Sequence, residues 1–256
     1  MESKSLGSIL KAAVIAGLMA GILVSIFHFV VTERVMDNAI EIEQQLHRVQ
    51  GATGETLLVS RDAQKVGLFI GFIGYGLAYS LLFGVVYHLS QSWLMARHGF
   101  RRDLLIGLVA GWSVALFPFI KYPANPPGVG DPATIEYRQV IFLAFIALSV
   151  VNTFLALALH RYLDRVRPAW SGSHQKWAIP IASYLAGASA MYIVMPANPD
   201  AAEMPADLVW TFRLLSFVGL ALFWTAFSAC LAWLLGTSDA AHARRSTVLP
   251  RPKLNG

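Results

Sequence analysis

The sequence predicts an all-α membrane protein with six transmembrane helices, and three observations support that fold class. The 256-residue chain is 56% apolar and only 14% charged, whereas soluble domains are about one quarter charged. Six long apolar stretches approach or exceed the roughly 20 residues that a helix needs to cross a bilayer. The third observation is an internal repeat, which matches the third and fourth stretches to the fifth and sixth.

The apolar stretches set the bounds of the predicted spans, which lie near residues 8–31, 66–89, 104–120, 140–159, 177–195 and 214–235. The third span is the shortest and contains Pro118, which removes a helical hydrogen bond. The first follows a basic start, but its apolar run is longer than the roughly 7 to 15 residues of a signal peptide, so a retained helix is expected. We therefore expect one membrane domain over residues 1–236 and a disordered basic tail over 237–256.

The distribution of Lys and Arg predicts the orientation of these spans. The side that carries both termini has 13 Lys and Arg and 4 Asp and Glu, while the opposite side has 7 and 11. Basic loops stay on the cytoplasmic side of a membrane, so both termini are predicted to be cytoplasmic. The net charge of +5 therefore reflects topology, and the expected partner is the lipid bilayer and not a nucleic acid.

Two loops on the acidic side carry the internal repeat. Residues 123–126 read Pro-Ala-Asn-Pro and are followed after five residues by Pro-Ala, and the same pattern begins again at residue 196, 73 positions later. Six identities at one spacing, each between two apolar stretches, predict a duplicated helix-loop-helix hairpin. Because proline fixes its own backbone angle, each loop is expected to be stiff.

The repeated loops also supply candidate residues for a pore mouth or gate. An asparagine in each loop can turn its carbonyl oxygen to a cation or to a backbone N–H. The arginine that follows each loop either reaches the membrane interface or pairs with a carboxylate such as Glu136. Simple turn formation is the alternative for both loops. The predicted mouth residues are Asn125, Glu136, Arg138, Asn198 and Arg213.

The long loop after the first span contains the candidate metal ligands. Glu33, Asp37 and Glu41 recur every four residues and so share one face of a helix, and Glu43 and His47 are again four apart. A histidine inside the first span is a functional candidate because ionisable groups are costly there. Imidazole and carboxylate suit cobalt, nickel or zinc. The predicted ligands are His28, Glu33, Asp37, Glu41, Glu43 and His47; a solvated acidic face and a neutral, packed His28 are the alternatives.

Motifs of common enzymes are absent from the sequence. It contains no phosphate-binding loop, no His-Glu-x-x-His, no Gly-x-Ser-x-Gly and no dinucleotide glycine pattern, so neither an enzyme nor a bound cofactor is predicted. Its one cysteine, Cys230, excludes a disulfide framework within the chain. Three glycine pairs at four-residue spacing, at positions 17/21, 67/71 and 107/111, permit close helix approach.

The order of these features resembles that of the CbtA family, predicted cobalt transporter subunits of bacteria. The resemblance covers roughly residues 8–236 and rests on Val31-Thr32-Glu33, Val59-Ser60-Arg61-Asp62, Phe100-Arg101-Arg102, Phe117-Pro118-Phe119-Ile120-Lys121-Tyr122 and Glu136-Tyr137-Arg138-Gln139. It implies a multi-pass protein of the inner membrane that moves cobalt for cobalamin synthesis, beside a small one-span CbtB-like partner. Some family members carry a histidine-rich loop after the first span. Here that loop has one histidine. If histidines collect the metal in other members, this chain must use carboxylates, use histidines of a partner, or carry a different cargo.

Together these observations predict a membrane permease subunit for uptake of cobalt or a related divalent cation, with the cation as transported substrate. The alternative is a structural or assembly subunit that docks a partner and does not itself conduct ions. A second copy of the chain is a further candidate partner.

Overall fold

The structure, a computed structural model, describes residues 4–49, 60–94, 99–167, 174–199 and 204–248. These residues form helices and contain no strand, which confirms the predicted fold class. Six helical stretches in the described ranges are long and apolar enough to cross a membrane, and each overlaps one predicted span: Leu6–Gln45, Arg61–Gln91, Phe100–Lys121, Pro132–Val166, Lys176–Val194 and Ala206–Thr237.

Eight α-helices follow one another along the described chain: α1 (Leu6–Phe27), α2 (Glu33–Val49), α3 (Arg61–Leu94), α4 (Phe100–Gly111), α5 (Phe117–Lys121), α6 (Ile135–Val166), α7 (Gln175–Val194) and α8 (Ala206–Val248). π-Helical turns at His28–Thr32 and Trp112–Leu116 join α1 to α2 and α4 to α5. Pro118 accounts for the second turn. It has no N–H, and in a regular helix its ring would collide with the carbonyl group of Val114, so the backbone widens there.

The last helix is longer than the last predicted span. Residues 214–235 are the central part of α8, which begins at Ala206 and continues to Val248. The predicted tail of residues 237–256 therefore starts within this helix. Residues 249–256 lie outside the described ranges, so a disordered tail stays a prediction.

The chain divides into two compact units. The first consists of Met1–Phe29, Leu57–Val109 and Ala221–Gly256, and the second of Val30–Thr56 and Ala110–Leu220. The two units are defined by packing within the chain. This packing does not test whether residues 1–236 form one membrane domain, which stays a prediction.

In the first unit, glycines allow α1 to approach the backbone of α3. A Cβ atom on Gly17 would collide with the carbonyl oxygen of Gly76, and one on Gly21 would lie 2.7 Å from the carbonyl oxygen of Phe72. This confirms the close helix approach predicted from the first glycine pair. Gly67 and Gly71, by contrast, face open space among the described residues.

Aromatic side chains fill the first unit between α3 and α8. Tyr75, Tyr79 and Phe83 follow one another at four-residue spacing and so lie on one face of α3. The rings of this face meet those of α8 edge-on, with centroid distances of 4.9 Å for Tyr75–Phe223, 5.7 Å for Tyr79–Trp224 and 5.2 Å for Phe83–Phe227. All three α8 rings are almost completely buried.

The second unit is organised around an antiparallel hairpin of α6 and α7. Asn152 of α6 donates from Nδ2 to the carbonyl oxygen of Tyr184 at 3.1 Å. The buried ring of Phe145 contacts Phe117 and Tyr122, with centroids 5.2 and 5.6 Å apart. These contacts join α5 and the loop after it to the hairpin.

Candidate functional site

The two repeated loops contact each other in the second unit. We call residues 122–134 the first repeated loop and residues 195–205 the second; residues 200–203 of the second lie outside the described ranges. The Tyr122 hydroxyl donates to the carbonyl oxygen of Pro196 at 2.7 Å. Burial is the main cause that raises the pKa of this hydroxyl, and the nearby Tyr137 raises it further. The hydroxyl therefore keeps its proton at neutral pH. The duplicated hairpins are therefore tied together at their loops.

A second tie joins α8 to the first repeated loop. Arg213 donates from Nη2 to Oδ1 of Asn125 at 2.7 Å. The Nε atom of the same arginine is buried and has no hydrogen-bond partner among the described residues. A cavity of about 390 Å³ opens beside it, lined by Met204, Ala206, Val209, Trp210 and Arg213. The Asn125 oxygen, for which a cation or a backbone N–H was predicted, is thus held by a guanidinium group.

The other predicted mouth residues lie near the loops in different environments. Arg138 Nη2 is 3.4 Å from the carbonyl oxygen of Asp131, in the first repeated loop. Glu136 is exposed at the start of α6, and Asn198 is partly buried in the second repeated loop. The role of these residues in a mouth or gate stays a prediction.

The acidic helix α2 lies on both repeated loops through its apolar residues. Ala39 is fully buried in a cluster with Val129 of the first loop, Met204 of the second and Val209 of α8. The first loop also touches the side chain of Glu43. Gly128 has a left-handed backbone (φ 76°), and a Cβ atom there would lie 3.3 Å from Cβ and Cγ of Glu43. Glu43 is therefore the α2 carboxylate residue whose side chain is seen against the first loop.

These carboxylates differ in exposure. Glu33 is only 8% exposed, Asp37 and Glu43 are partly buried, and Glu41 is exposed. His47 belongs to α2, but its side chain lies outside the described residues. Within the part of the chain that is described, no three His, Cys, Asp or Glu side chains come together to hold a metal ion. The six-residue ligand set therefore stays a prediction.

His28 belongs to the first unit and begins the π-helical turn after α1. Its buried ring stacks on Phe72 with a centroid distance of 4.7 Å and an angle of 5° between planes, and meets Phe27 edge-on at 5.2 Å. The ring therefore packs against two aromatic neighbours. π-Helical turns often occur at functional sites, and a ligand role for His28 stays a prediction.

Comparison with known families identifies the group to which these features belong. The family described as "Probable cobalt transporter subunit (CbtA)" matches residues 6–236, which include α2 and both repeated loops. The chain belongs to the CbtA family. Comparison with curated proteins and with solved structures gives no match. The predicted resemblance is confirmed over nearly the whole chain.

Sequence reasoning missed two features of this CbtA-family chain. One is the apolar contact of α2 with the loops, which Ala39 and Ile42 make. Its sequence signal is the spacing of Val35, Ala39 and Ile42, which places these apolar residues on one face of a helix. The other is the bond between Arg213 and Asn125, which joins residues 88 positions apart. Nothing in the local sequence identifies such a pair, because the two side chains meet only after the hairpins pack.

The Arg213–Asn125 bond is expected to stabilise the CbtA-family fold. Replacing Asn125 by Ala should lower the free energy of unfolding by about 2 kcal/mol, because a hydrogen bond to a charged group contributes about 1.5 to 3 kcal/mol. A double-mutant cycle with Arg213→Leu, followed by denaturant unfolding in detergent, measures the pair itself. A coupling energy near zero would show that the bond contributes nothing.

Proposed function

We propose that the chain is the permease subunit of an uptake system for cobalt or a related divalent cation. Membership of a cobalt transporter family supports a transport role. The observation that carries the finer proposal is the packing of acidic α2 directly on both repeated loops. This packing holds Glu43 against the first repeated loop. It also holds the helix that carries Glu33, Asp37 and Glu41 beside the part of the fold that was predicted to form a pore mouth.

Collection of the cation is assigned to Glu33, Asp37, Glu41 and Glu43. The first three lie one helical turn apart on one face of α2, so a metal ion meets several negative charges in a short distance. Clustered charges of one sign raise the local concentration of counterions and the rate at which they arrive. His28, an ionisable residue inside the first span, is proposed to receive the cation within the membrane.

The gate is assigned to the Arg213–Asn125 pair. A divalent cation that approaches the Asn125 carbonyl oxygen is repelled by the guanidinium group of Arg213, which already donates a hydrogen bond to that oxygen. At an effective dielectric constant of about 20, a divalent cation about 4 Å from the guanidinium group is repelled by about 8 kcal/mol, twice the value for two unit charges. Cation arrival therefore favours withdrawal of Arg213, which releases an oxygen ligand at the mouth.

Cobalt uptake by cells that express the chain tests this assignment. The triple variant Glu33→Gln/Asp37→Asn/Glu41→Gln is expected to take up cobalt roughly tenfold more slowly at subsaturating concentration, a loss of about 1.4 kcal/mol of interaction. The control is Asp62→Asn, which removes one negative charge from an exposed position at the start of α3. Uptake that is unchanged in the triple variant, with equal protein in the membrane, would refute the role of α2.

A second test separates conduction from assembly. The family description names a subunit, which implies a partner, and a small one-span CbtB-like protein is the proposed one; a second copy of the chain is another candidate. Purified protein in liposomes should admit cobalt to an enclosed metal-sensitive dye if the chain is a permease. Uptake that requires the partner, with tight liposomes for this chain alone, would favour the structural or assembly role.

The proposal also includes the membrane in which the chain lies and the orientation of its termini. Six apolar helices and the transporter family indicate a multi-pass membrane protein. We place it in the bacterial inner membrane with both termini in the cytoplasm, which is supported by the 13 Lys and Arg on that side against 7 on the other.

A further inference from the structure

The cavity beside Arg213 combines apolar walls with one charged group. Met204, Ala206, Val209 and Trp210 line it together with Arg213, and all five residues belong to the second unit. Its volume is about 390 Å³, which lies within the range of about 300 to 1,000 Å³ that small-molecule sites occupy. The cavity is therefore large enough for a small ligand or for the head of a larger one.

The guanidinium group of Arg213 has few partners for its charge. Arginine carries five N–H donors. Nη2 donates to the neutral amide oxygen of Asn125 at 2.7 Å, while Nε is buried and has no hydrogen-bond partner among the described residues. Asp207, in the first turn of α8, is exposed and forms no ion pair with Arg213 in the described part of the chain. A half-buried charge without an opposite charge is costly, so an anion in the cavity would stabilise this arrangement.

The position of Arg213 in the sequence indicates where such an anion comes from. Arg213 directly precedes the apolar stretch of residues 214–235, so it is expected at the edge of the hydrocarbon layer. Trp210, about one turn earlier in α8, is 67% exposed, and tryptophan is enriched where lipid head groups meet the hydrocarbon. The cavity is therefore expected to open at the level of the lipid phosphates.

The chemistry of the cavity distinguishes a lipid phosphate from a free one. The phosphodiester of a phospholipid carries one negative charge, which matches one guanidinium group, and arginine binds phosphate oxygens through a planar pair of N–H groups. The glycerol and the acyl chains attached to it can pack on Met204, Val209 and Trp210. Free phosphate carries more charge at neutral pH and has no apolar part for these walls. A head group with its own ammonium would bring a second cation to Arg213, so the matching lipid is anionic.

We propose that this cavity binds one anionic phospholipid, with the lipid phosphate on the Arg213 guanidinium group and the apolar part of the lipid against Val209 and Trp210. Phosphatidylglycerol is the probe of this class. The bound lipid supplies acceptors for guanidinium N–H groups that do not contact Asn125, and it neutralises the charge of Arg213. The site concerns lipid binding alone and does not depend on a gating role for Arg213.

Native mass spectrometry of the full chain, purified in detergent and freed of lipid, tests this proposal. Phosphatidylglycerol and phosphatidylcholine with identical acyl chains are added in turn. The wild type should retain one phosphatidylglycerol at least about tenfold more tightly than phosphatidylcholine, a difference of about 1.4 kcal/mol. Arg213→Gln should lose this preference. Ala206→Phe, which adds a ring to the cavity wall from an exposed position and keeps the arginine, should weaken phosphatidylglycerol binding at least about fivefold.

The matched control is Arg61→Gln, which removes one positive charge from the same predicted side of the membrane. Nη1 of Arg61 donates to Oε1 of Gln64 at 2.7 Å, and this variant should bind phosphatidylglycerol as the wild type does. Inorganic phosphate at millimolar concentration should not displace the lipid.

Four outcomes would each overturn the proposal. They are equal retention of the two lipids by the wild type, unchanged binding in Ala206→Phe, an equal loss in Arg61→Gln and Arg213→Gln, and displacement of the lipid by inorganic phosphate, which would assign the cavity to a free anion. If Arg213→Gln does not fold, Ala206→Phe and the phosphate competition decide.

Discussion

Replacement of Gly17 by Leu is expected to lower the free energy of unfolding by about 3 kcal/mol or more. Overpacking a close-packed interior ordinarily costs about 1 to 3 kcal/mol, and here the added side chain would meet backbone atoms of α3. A Cβ atom at this position would collide with the carbonyl oxygen of Gly76 and would lie 2.8 Å from Cβ of Ser80. A peptide group cannot turn aside as a long side chain can. The helices α1 and α3 must therefore separate along their contact.

Reversible unfolding in mixed detergent micelles measures this loss. The matched control is Gly67→Leu on α3, where an added Cβ atom meets nothing within 4 Å in the described structure. The control should change stability by no more than about 0.5 kcal/mol, as surface substitutions usually do. Equal losses for the two variants would contradict this prediction, because Leu is a better helix former than Gly and close packing distinguishes the two positions. Small residues matter in this way because packing, and not the hydrophobic effect, drives helix association in lipid.

The second large effect is expected for Trp224→Ala in the aromatic layer of the first unit. Truncation of a buried aromatic residue to alanine costs about 3 to 5 kcal/mol, since the cavity only partly closes. Trp224 is 2% exposed and meets Tyr79, Phe223 and Phe227 edge-on, at centroid distances of 5.6 to 5.7 Å. Loss of this ring removes contacts on three sides.

The control for this prediction is Trp233→Ala, nine positions further along α8. Its side chain is 59% exposed in the protein and so depends little on protein packing. The same unfolding measurement should show a loss at least about threefold smaller than for Trp224→Ala. If the exposed tryptophan proved as important as the buried one, contact with lipid or with another chain would have to explain it.

The six spans could be predicted from the sequence because a spanning helix needs a run of consecutive apolar residues as long as the bilayer is thick. The hydropathy of neighbouring residues shows such a run directly. The duplicated hairpin was visible for the same reason, since Pro-Ala-Asn-Pro recurs at a constant spacing. Pro118 marked the weakest span, and the structure places a π-helical turn just before it. Each of these features depends on residues that are neighbours in sequence.

The candidate site could be predicted only in part. The acidic spacing in α2 identified a helical face, but not that Ala39 fixes this helix to both repeated loops. Asn125 and Arg213 were each singled out, yet for separate roles, and the hydrogen bond between them was not anticipated.

The sequence by itself therefore determined that this is a membrane protein with six apolar stretches long enough to span a bilayer, a repeated loop motif, an acidic stretch after the first span and membership of the CbtA family. Tertiary structure alone decided that α2 lies on the loops and that Arg213 holds Asn125. The physical reason is the range of the interactions. Transfer into a bilayer acts on consecutive residues of one helix, whereas a hydrogen bond or a ring contact requires two helices to fix the positions of side chains that are far apart in the chain.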